Sequence, residues 1–288
     1  MSDVIRQQSE VLASRLPPLQ VRAEQVAATV IQGMHGRRRP GQGETFWQFR
    51  RYQHFDTVKD IDWRRSARGS ELFVRENEWE AAQSVWVWRD ASPSMRYRSR
   101  RDVPEKCERA DVLAVALAIL LTEGGENVAL LGEGMPARGG RAGLRVLIEA
   151  MLASSGGSSV PPSEPLPRHA GVVLISDFLE PTSVYRDAIA AMASNGCKGH
   201  CVQILDPAEE GFPFSGRIRF EGAEDEEPHL LRRADQVRQE YQKKWALHCE
   251  ELRDLAAKVG WSFSSHVTEQ SAEAALLSLY GALSRTAV

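Results

Sequence analysis

From residue 83 to the C-terminus the sequence alternates between two kinds of stretch. Short apolar runs at 85–88, 127–131, 171–176, 199–205 and 261–265 read as strands. Between and after them, residues 107–123, 142–153, 183–193, 230–259 and 271–284 repeat apolar residues every three or four positions and read as helices. A strand followed by a helix and another strand closes most readily as a parallel pair, so the pattern predicts a layered α/β fold with a mostly parallel sheet flanked by helices. Residues 83–288 are expected to form that domain, and residues 1–82 an N-terminal extension packed on it. Residues 207–228, with the run FPFSGRIRFEG and the acidic turn EDEE, read as a hairpin-like insertion. Residues 154–168, rich in Ser, Gly and Pro, read as a loop not ordered throughout.

Composition excludes several classes. A net charge of -3 over 288 residues gives no bulk attraction to nucleic acid or anionic lipid. The most apolar stretch, 112–121, is about half the ~20 residues a membrane span needs and is flanked by Asp111 and Glu123, so it reads as a buried helix. Four cysteines without regular spacing, and no apolar leader after the first Met, point to a cytoplasmic chain with reduced thiols.

The candidate site lies in VWVWRDASPSM, residues 85–95, where an apolar strand stops at Asp90 and Ser92 and Ser94 follow at alternate positions. A second acid, Asp177, ends another apolar run in VVLISDF. Ligands of open parallel sheets bind beyond the carboxyl ends of the strands, where the strand order reverses. If the two strands are neighbours, Asp90, Ser92, Ser94 and Asp177 converge there. These oxygens suit Mg²⁺ or another divalent ion, a hard cation that takes six oxygens at ~2.0 to 2.1 Å. The alternatives are an Asp that accepts backbone N–H bonds beside serines that cap a helix, and an anion site. Arginines are dense nearby, and Arg89, Arg96, Arg138 and Arg141 are expected to form a rim that could receive an anion or a partner's carboxylate.

The order strand, DxSxS, helix, strand, helix, strand ending in Ser-Asp resembles a von Willebrand factor A domain with its metal-ion-dependent adhesion site. The segment before it resembles more closely the signature of a bacterial family, domain of unknown function 58. The matching positions are Gly41, Gly43, Glu44, Arg51, Tyr52, Asp56, Ile61, Asp62, Trp63, Ala67, Arg68, Val74, Arg75 and Glu80. The resemblance implies a von Willebrand factor A-like, Rossmann-like body and a non-enzymatic adaptor role beside a MoxR-type AAA+ ATPase. It also implies a degenerate adhesion site. No hydroxyl stands between Thr122 and Ser154 to replace that site's usual threonine ligand. Among the signature residues Glu44, Arg51, Tyr52, Asp56, Asp62, Trp63, Arg68, Arg75 and Glu80, structural roles are expected, with Asp62 and Arg68 in an ion-pair network. The competing functional reading is a Mg²⁺-dependent phosphoryl-transfer enzyme or hydrolase built on Asp90 and Asp177. The run Cys197-Lys198-Gly199-His200-Cys201 has no second ligand pair at zinc spacing and reads as strand core.

Overall fold

Val85, Trp86, Val87 and Trp88 are all buried, on both faces of their strand. That is the pattern of a central strand in a sheet covered on both sides. In the computed structural model, which describes residues 19–31, 46–53, 61–67, 69, 71–77, 82–154, 156–222 and 229–286, this strand is β3 (Ser84–Arg89). The chain divides into two compact units: Met34–Ala82, and Gln83–Val288 together with Met1–Gly33. The extension expected over residues 1–82 is therefore split, because helical residues 19–31 (α1) group with the α/β body. Ala23, Val26, Ala27 and Val30 put an apolar stripe on α1 at helical spacing, and all four are buried.

The smaller unit contains a two-stranded antiparallel sheet, β1 (Phe46–Arg51) with β2 (Phe73–Asn77), and a single helical turn, α2 (Trp63–Ser66). Asp62 caps that turn by accepting from the Arg65 N–H at 2.8 Å, which gives the signature aspartate a local structural task. Arg51 pairs with Glu71 at 2.8 Å on the surface, and Trp63 is exposed. Glu44, Asp56, Arg68 and Glu80 lie outside the described residues, and with Arg68 so does the expected Asp62–Arg68 pair.

In the larger unit the elements after β3 are α3 (Lys106–Glu123), β4 (Asn127–Leu130), β5 (Arg138–Gly139), α4 (Gly140–Ala153), β6 (Gly171–Ser176) and α5 (Thr182–Ser194). They continue with β7 (Lys198–Leu205), α6 (Pro207–Gly211), β8 (Ile218–Phe220), β9 (His229–Leu231), α7 (Ala234–Lys258), β10 (Ser262–Val267) and α8 (Ala272–Thr286). The main sheet has the order β10-β7-β6-β3-β4-β5, parallel except for the short β5. From β3 the chain moves to β4 and β5 on one side, then returns past β3 to β6 on the other. The strand order reverses between β3 and β6, so the crevice beyond their carboxyl ends is the topological switch point.

Successive side chains of the strands alternate between two packed faces. One face gathers Trp86, Trp88, Val172 and Leu174 with Tyr185 and Ile189 of α5 and Leu252 and Leu255 of α7. Helix α3 is buried almost all round from Ala110 to Leu121, which explains its uniformly apolar sequence. Each fully buried Leu there contributes ~2 kcal/mol through the water-exposed area it removes. The insertion expected at 207–228 begins with a helical turn, α6, but its antiparallel pair, β8 and β9, runs on to Leu231, into residues read as the start of a helix, and α7 begins only at Ala234. The Ser/Gly/Pro segment takes a defined path over its described residues. Leu166 is buried, and the Glu164 carboxylate accepts from the Gly132 N–H at 2.7 Å, so a loop without repeating structure is pinned at two points.

Candidate functional site

Asp90 leaves β3 still bonded to the sheet, its N–H donating to the Ile175 carbonyl of β6 at 2.9 Å. That ladder bond places Asp90 next to the end of β6, where Ser176 and Asp177 follow. Asp90 is fully buried. One carboxylate oxygen accepts from the Ser92 N–H at 2.8 Å and the other from the Ser176 hydroxyl at 2.6 Å. Burial pushes its pKa up, opposed by the bonds from Ser176 and Ser92, while the nearby Asp177 charge adds to the rise.

The serines continue the network. Ser92 Oγ and Ser94 Oγ lie 3.0 Å apart, and Ser94 Oγ donates to Asp177 Oδ2 at 2.8 Å. Asp177 is aimed by an unusual backbone: Phe178, next in the chain, has φ 53°, a left-handed conformation that costs a non-glycine residue ~1 kcal/mol or more. Three contacts hold it. The Phe178 N–H donates to Ser176 Oγ at 2.9 Å, its carbonyl meets His248 Nε2 at 2.6 Å, and its ring packs edge-on against Tyr185.

The same oxygen of Asp177 accepts from Lys106 Nζ at 2.9 Å, and Lys106 also donates to Glu209 of α6. Lys106 is fully buried. It stands at the first position of α3, where the helix dipole also disfavours a cation. Burial works against the charged form, but Asp177 and Glu209 outweigh it and hold the ammonium above its ordinary pKa. Glu209 is shifted up by burial, with Lys106 acting in the opposite direction. The Lys106 ammonium lies 5.7 Å from the centroid of the Tyr97 ring, a cation–π contact.

The four acid and serine positions singled out in the sequence, Asp90, Ser92, Ser94 and Asp177, thus form one hydrogen-bonded group at the switch point. Lys106, Ser176 and Glu209 complete it. The rim is different from the expected one. Arg89 points inward, its guanidinium pairing with Asp111 at 2.8 Å and donating to the Met151 carbonyl. Arg138 lies on β5 opposite Val128, near the amino end of β4, and Arg141 follows at the start of α4, so both sit at the wrong end of the sheet. Of the four predicted rim residues, Arg96 alone is exposed at the carboxyl edge. It belongs to the exposed loop 96–102, with Arg98, Arg100 and Arg101. Arg100 pairs with Glu269 and Asp102. Arg96, Arg98 and Arg101 have no ion-pair partner among the described residues.

That loop is tied to the buried group below it. The Lys106 N–H donates to the Tyr97 carbonyl at 3.2 Å, and the Ser99 N–H donates to Asp206 Oδ2 at 2.8 Å. Asp206 in turn caps α6, accepting from the Ala208 N–H, while its own N–H donates to Glu209.

The residues do not fit a divalent ion. Both Asp90 oxygens, the two serine hydroxyls and Asp177 Oδ2 are committed to one another, to Ser176 or to Lys106. An ion would also have to sit beside a buried ammonium of like charge. Among the described residues, no group of three or more His, Cys, Asp or Glu side chains is placed to hold a metal. A cavity of about 460 Å³ opens at the ends of β3 and β4, lined by Trp88, Ala91, Leu131, Gly157 and Pro161 among others, but neither aspartate lines it. Cys197, just before β7, and Cys201, within it, are buried in the core, and His200 is hydrogen-bonded to Ser262 and Ser264, so the knuckle-like run is the start of a buried strand. Burial first, then Asp111 and Glu105, push the Cys107 thiol up to about 12, which leaves it protonated and poorly nucleophilic.

A family model described as "Protein of unknown function DUF58" matches residues 48–251. The chain belongs to the DUF58 family. The match includes the signature segment from within β1 onward, the switch point and most of α7, so the buried lysine and its acids all lie inside the DUF58 region. An uncharacterized protein of Mycobacterium tuberculosis, Rv1480, is 28% identical over 229 residues, covering 74% of this chain and 71% of its own length. Mb1516 of Mycobacterium bovis matches equally. Two solved structures are similar at low identity. An aerotolerance-related membrane protein from Bacteroides fragilis has 15% identity and a TM-score of 0.43, over 71% of this chain and all of that one. BatB from Bacteroides thetaiotaomicron has 16% identity and a TM-score of 0.39, over 72% and 99%. Among the described residues of this DUF58 chain, no helix is long and apolar enough to cross a membrane.

Proposed function

We propose that this DUF58 protein is a non-enzymatic interaction module with a von Willebrand factor A-like body, acting in the cytoplasm as an adaptor for a MoxR-type AAA+ ATPase. The observation that carries the reading is the arginine loop at the switch point. Arg96, Arg98 and Arg101 are exposed and unpaired among the described residues, on a loop whose backbone is bonded to Lys106 and Asp206. A loop fixed from beneath presents its charges with little ordering cost on binding. Its guanidinium groups suit a partner's carboxylates, which they grip in bidentate fashion. Adhesion-type capture of an acid is thereby kept, with arginine in place of a coordinated ion. The groups that a hydrolase would need as base or nucleophile are instead spent on one another: Asp90 on Ser92 and Ser176, Ser94 on Asp177.

The test is binding of the purified chain to a purified MoxR-type ATPase by biolayer interferometry at two salt concentrations. Wild type is expected to bind, more weakly at high salt. The triple variant Arg96→Ala, Arg98→Ala, Arg101→Ala loses about tenfold in affinity, since three exposed ion pairs contribute roughly 0.5 kcal/mol each and 1.4 kcal/mol is tenfold. Equal binding by the triple variant, or affinity indifferent to salt, contradicts the reading.

A further inference from the structure

We infer that Lys106 is the resident cation of this site: its ammonium neutralises Asp177 at the very oxygen to which Ser94 donates, a task that a divalent ion would otherwise perform, and the module works without metal. This concerns how the site is held together and stands whatever docks on the loop above it.

The argument rests on occupancy and charge. Carboxylates gathered at the ends of neighbouring strands repel one another unless a cation is held among them. Here a cation is present and belongs to the chain. Lys106 Nζ lies 2.9 Å from Asp177 Oδ2, the oxygen that Ser94 also reaches, and it bridges to Glu209 on a third element. An ammonium donates at most three hydrogen bonds. Two are given to carboxylates and the Tyr97 ring lies nearby. The lysine is held by elements that fold for other reasons: it opens α3, Asp177 directly follows β6, and Glu209 lies in the first turn of α6 after β7. Its removal from the position is therefore not a side-chain rotation but a disturbance of three termini. A fixed monovalent donor differs from an ion in one functional respect. It leaves no open coordination position, so a partner's carboxylate cannot be captured there and must be met elsewhere on this edge.

The experiment is thermal melting of the full chain with Mg²⁺, with Mn²⁺ and with a chelator, for wild type, Lys106→Ser and Asp177→Ala. Acetylation of lysines in the native wild-type chain is mapped by mass spectrometry alongside. Wild type is expected to melt at one temperature in all three solutions, Lys106→Ser to melt well below it, and Lys106 to remain unmodified while exposed lysines such as Lys243 and Lys244 react. A wild-type melting temperature that rises with either metal and loses that rise in Asp177→Ala overturns the proposal, because an ion then binds despite the lysine. So does Lys106→Ser melting like wild type, or early acetylation of Lys106. Should Lys106→Ser fail to fold, the wild-type metal series and the acetylation map decide by themselves.

Discussion

Lys106→Met is expected to lower the unfolding free energy by about 3–5 kcal/mol, the usual cost of removing one partner from a buried ion pair. Methionine keeps the length of the side chain and loses the charge, so Asp177 and Glu209 would face each other with no cation between them. Total stabilities of natural domains are only ~5–15 kcal/mol, so a loss of this size would be conspicuous in a urea titration. Glu209→Gln added to Lys106→Met should recover part of it, because the second change removes one of the two stranded charges. That non-additivity is the mark of residues acting as one unit. The pH dependence has a definite sign. The folded pKa of Lys106 is raised, so its contribution is fully present below the unfolded value of 10.5 and is lost as pH climbs through the folded one. Wild type should therefore converge toward the methionine variant only in strong alkali. A loss below ~1 kcal/mol at neutral pH would show that the pair contributes nothing net.

Gly199→Ala is expected to destabilise by about 3 kcal/mol, the upper end of the usual range for overpacking. A Cβ at Gly199 would lie 2.2 Å from the Cδ2 and Cε3 atoms of the Trp261 indole. The indole cannot easily retreat, since its Nε1–H donates to the Cys197 carbonyl at 3.0 Å. Equilibrium unfolding followed by tryptophan fluorescence measures the effect. Gly281→Ala is the control: it lies within α8 with nothing within 4 Å of the added carbon, and it should gain roughly 0.5–1 kcal/mol from helix propensity. Similar behaviour of the two variants would mean that the contact at Gly199 is looser than the ring distances require.

The strands and helices of the α/β body were readable because their apolar periods are long and mutually consistent. The predicted strand at 171–176 coincides with β6, and the other predicted strands and helices differ by a few residues at their ends, the largest departure being residues 230 and 231, read as helix and found in β9. The two-residue β5 carries no period of its own and owes its strand geometry to β4 beside it. Convergence of Asp90, Ser92, Ser94 and Asp177 could be anticipated from parallel-sheet topology, since both acids end apolar runs. Lys106 could not be found the same way. A lysine is normally exposed, and its burial depends on Glu209, 103 positions away. One signal was available: Pro104, Glu105 and Glu108 mark a helix start, and a lysine at the first helical position runs against the dipole preference. Such a misplaced charge implies a compensating acid. The rim was misread for a related reason. Arginine density along the chain says nothing of strand polarity, and Arg138 is carried to the amino end of the sheet by an antiparallel edge strand that periodicity does not reveal.

Heteronuclear NMR of the lysine side-chain ammonium groups examines the internal cation itself. A protonated Lys106 shielded from water should give a slowly exchanging NH₃⁺ cross-peak that vanishes in Lys106→Met and does not move when Mg²⁺ or a chelator is added. A wild-type spectrum without that peak, or one in which Mg²⁺ shifts or abolishes it, would mean that the carboxylates at the switch point answer to a metal and not to the chain's own lysine.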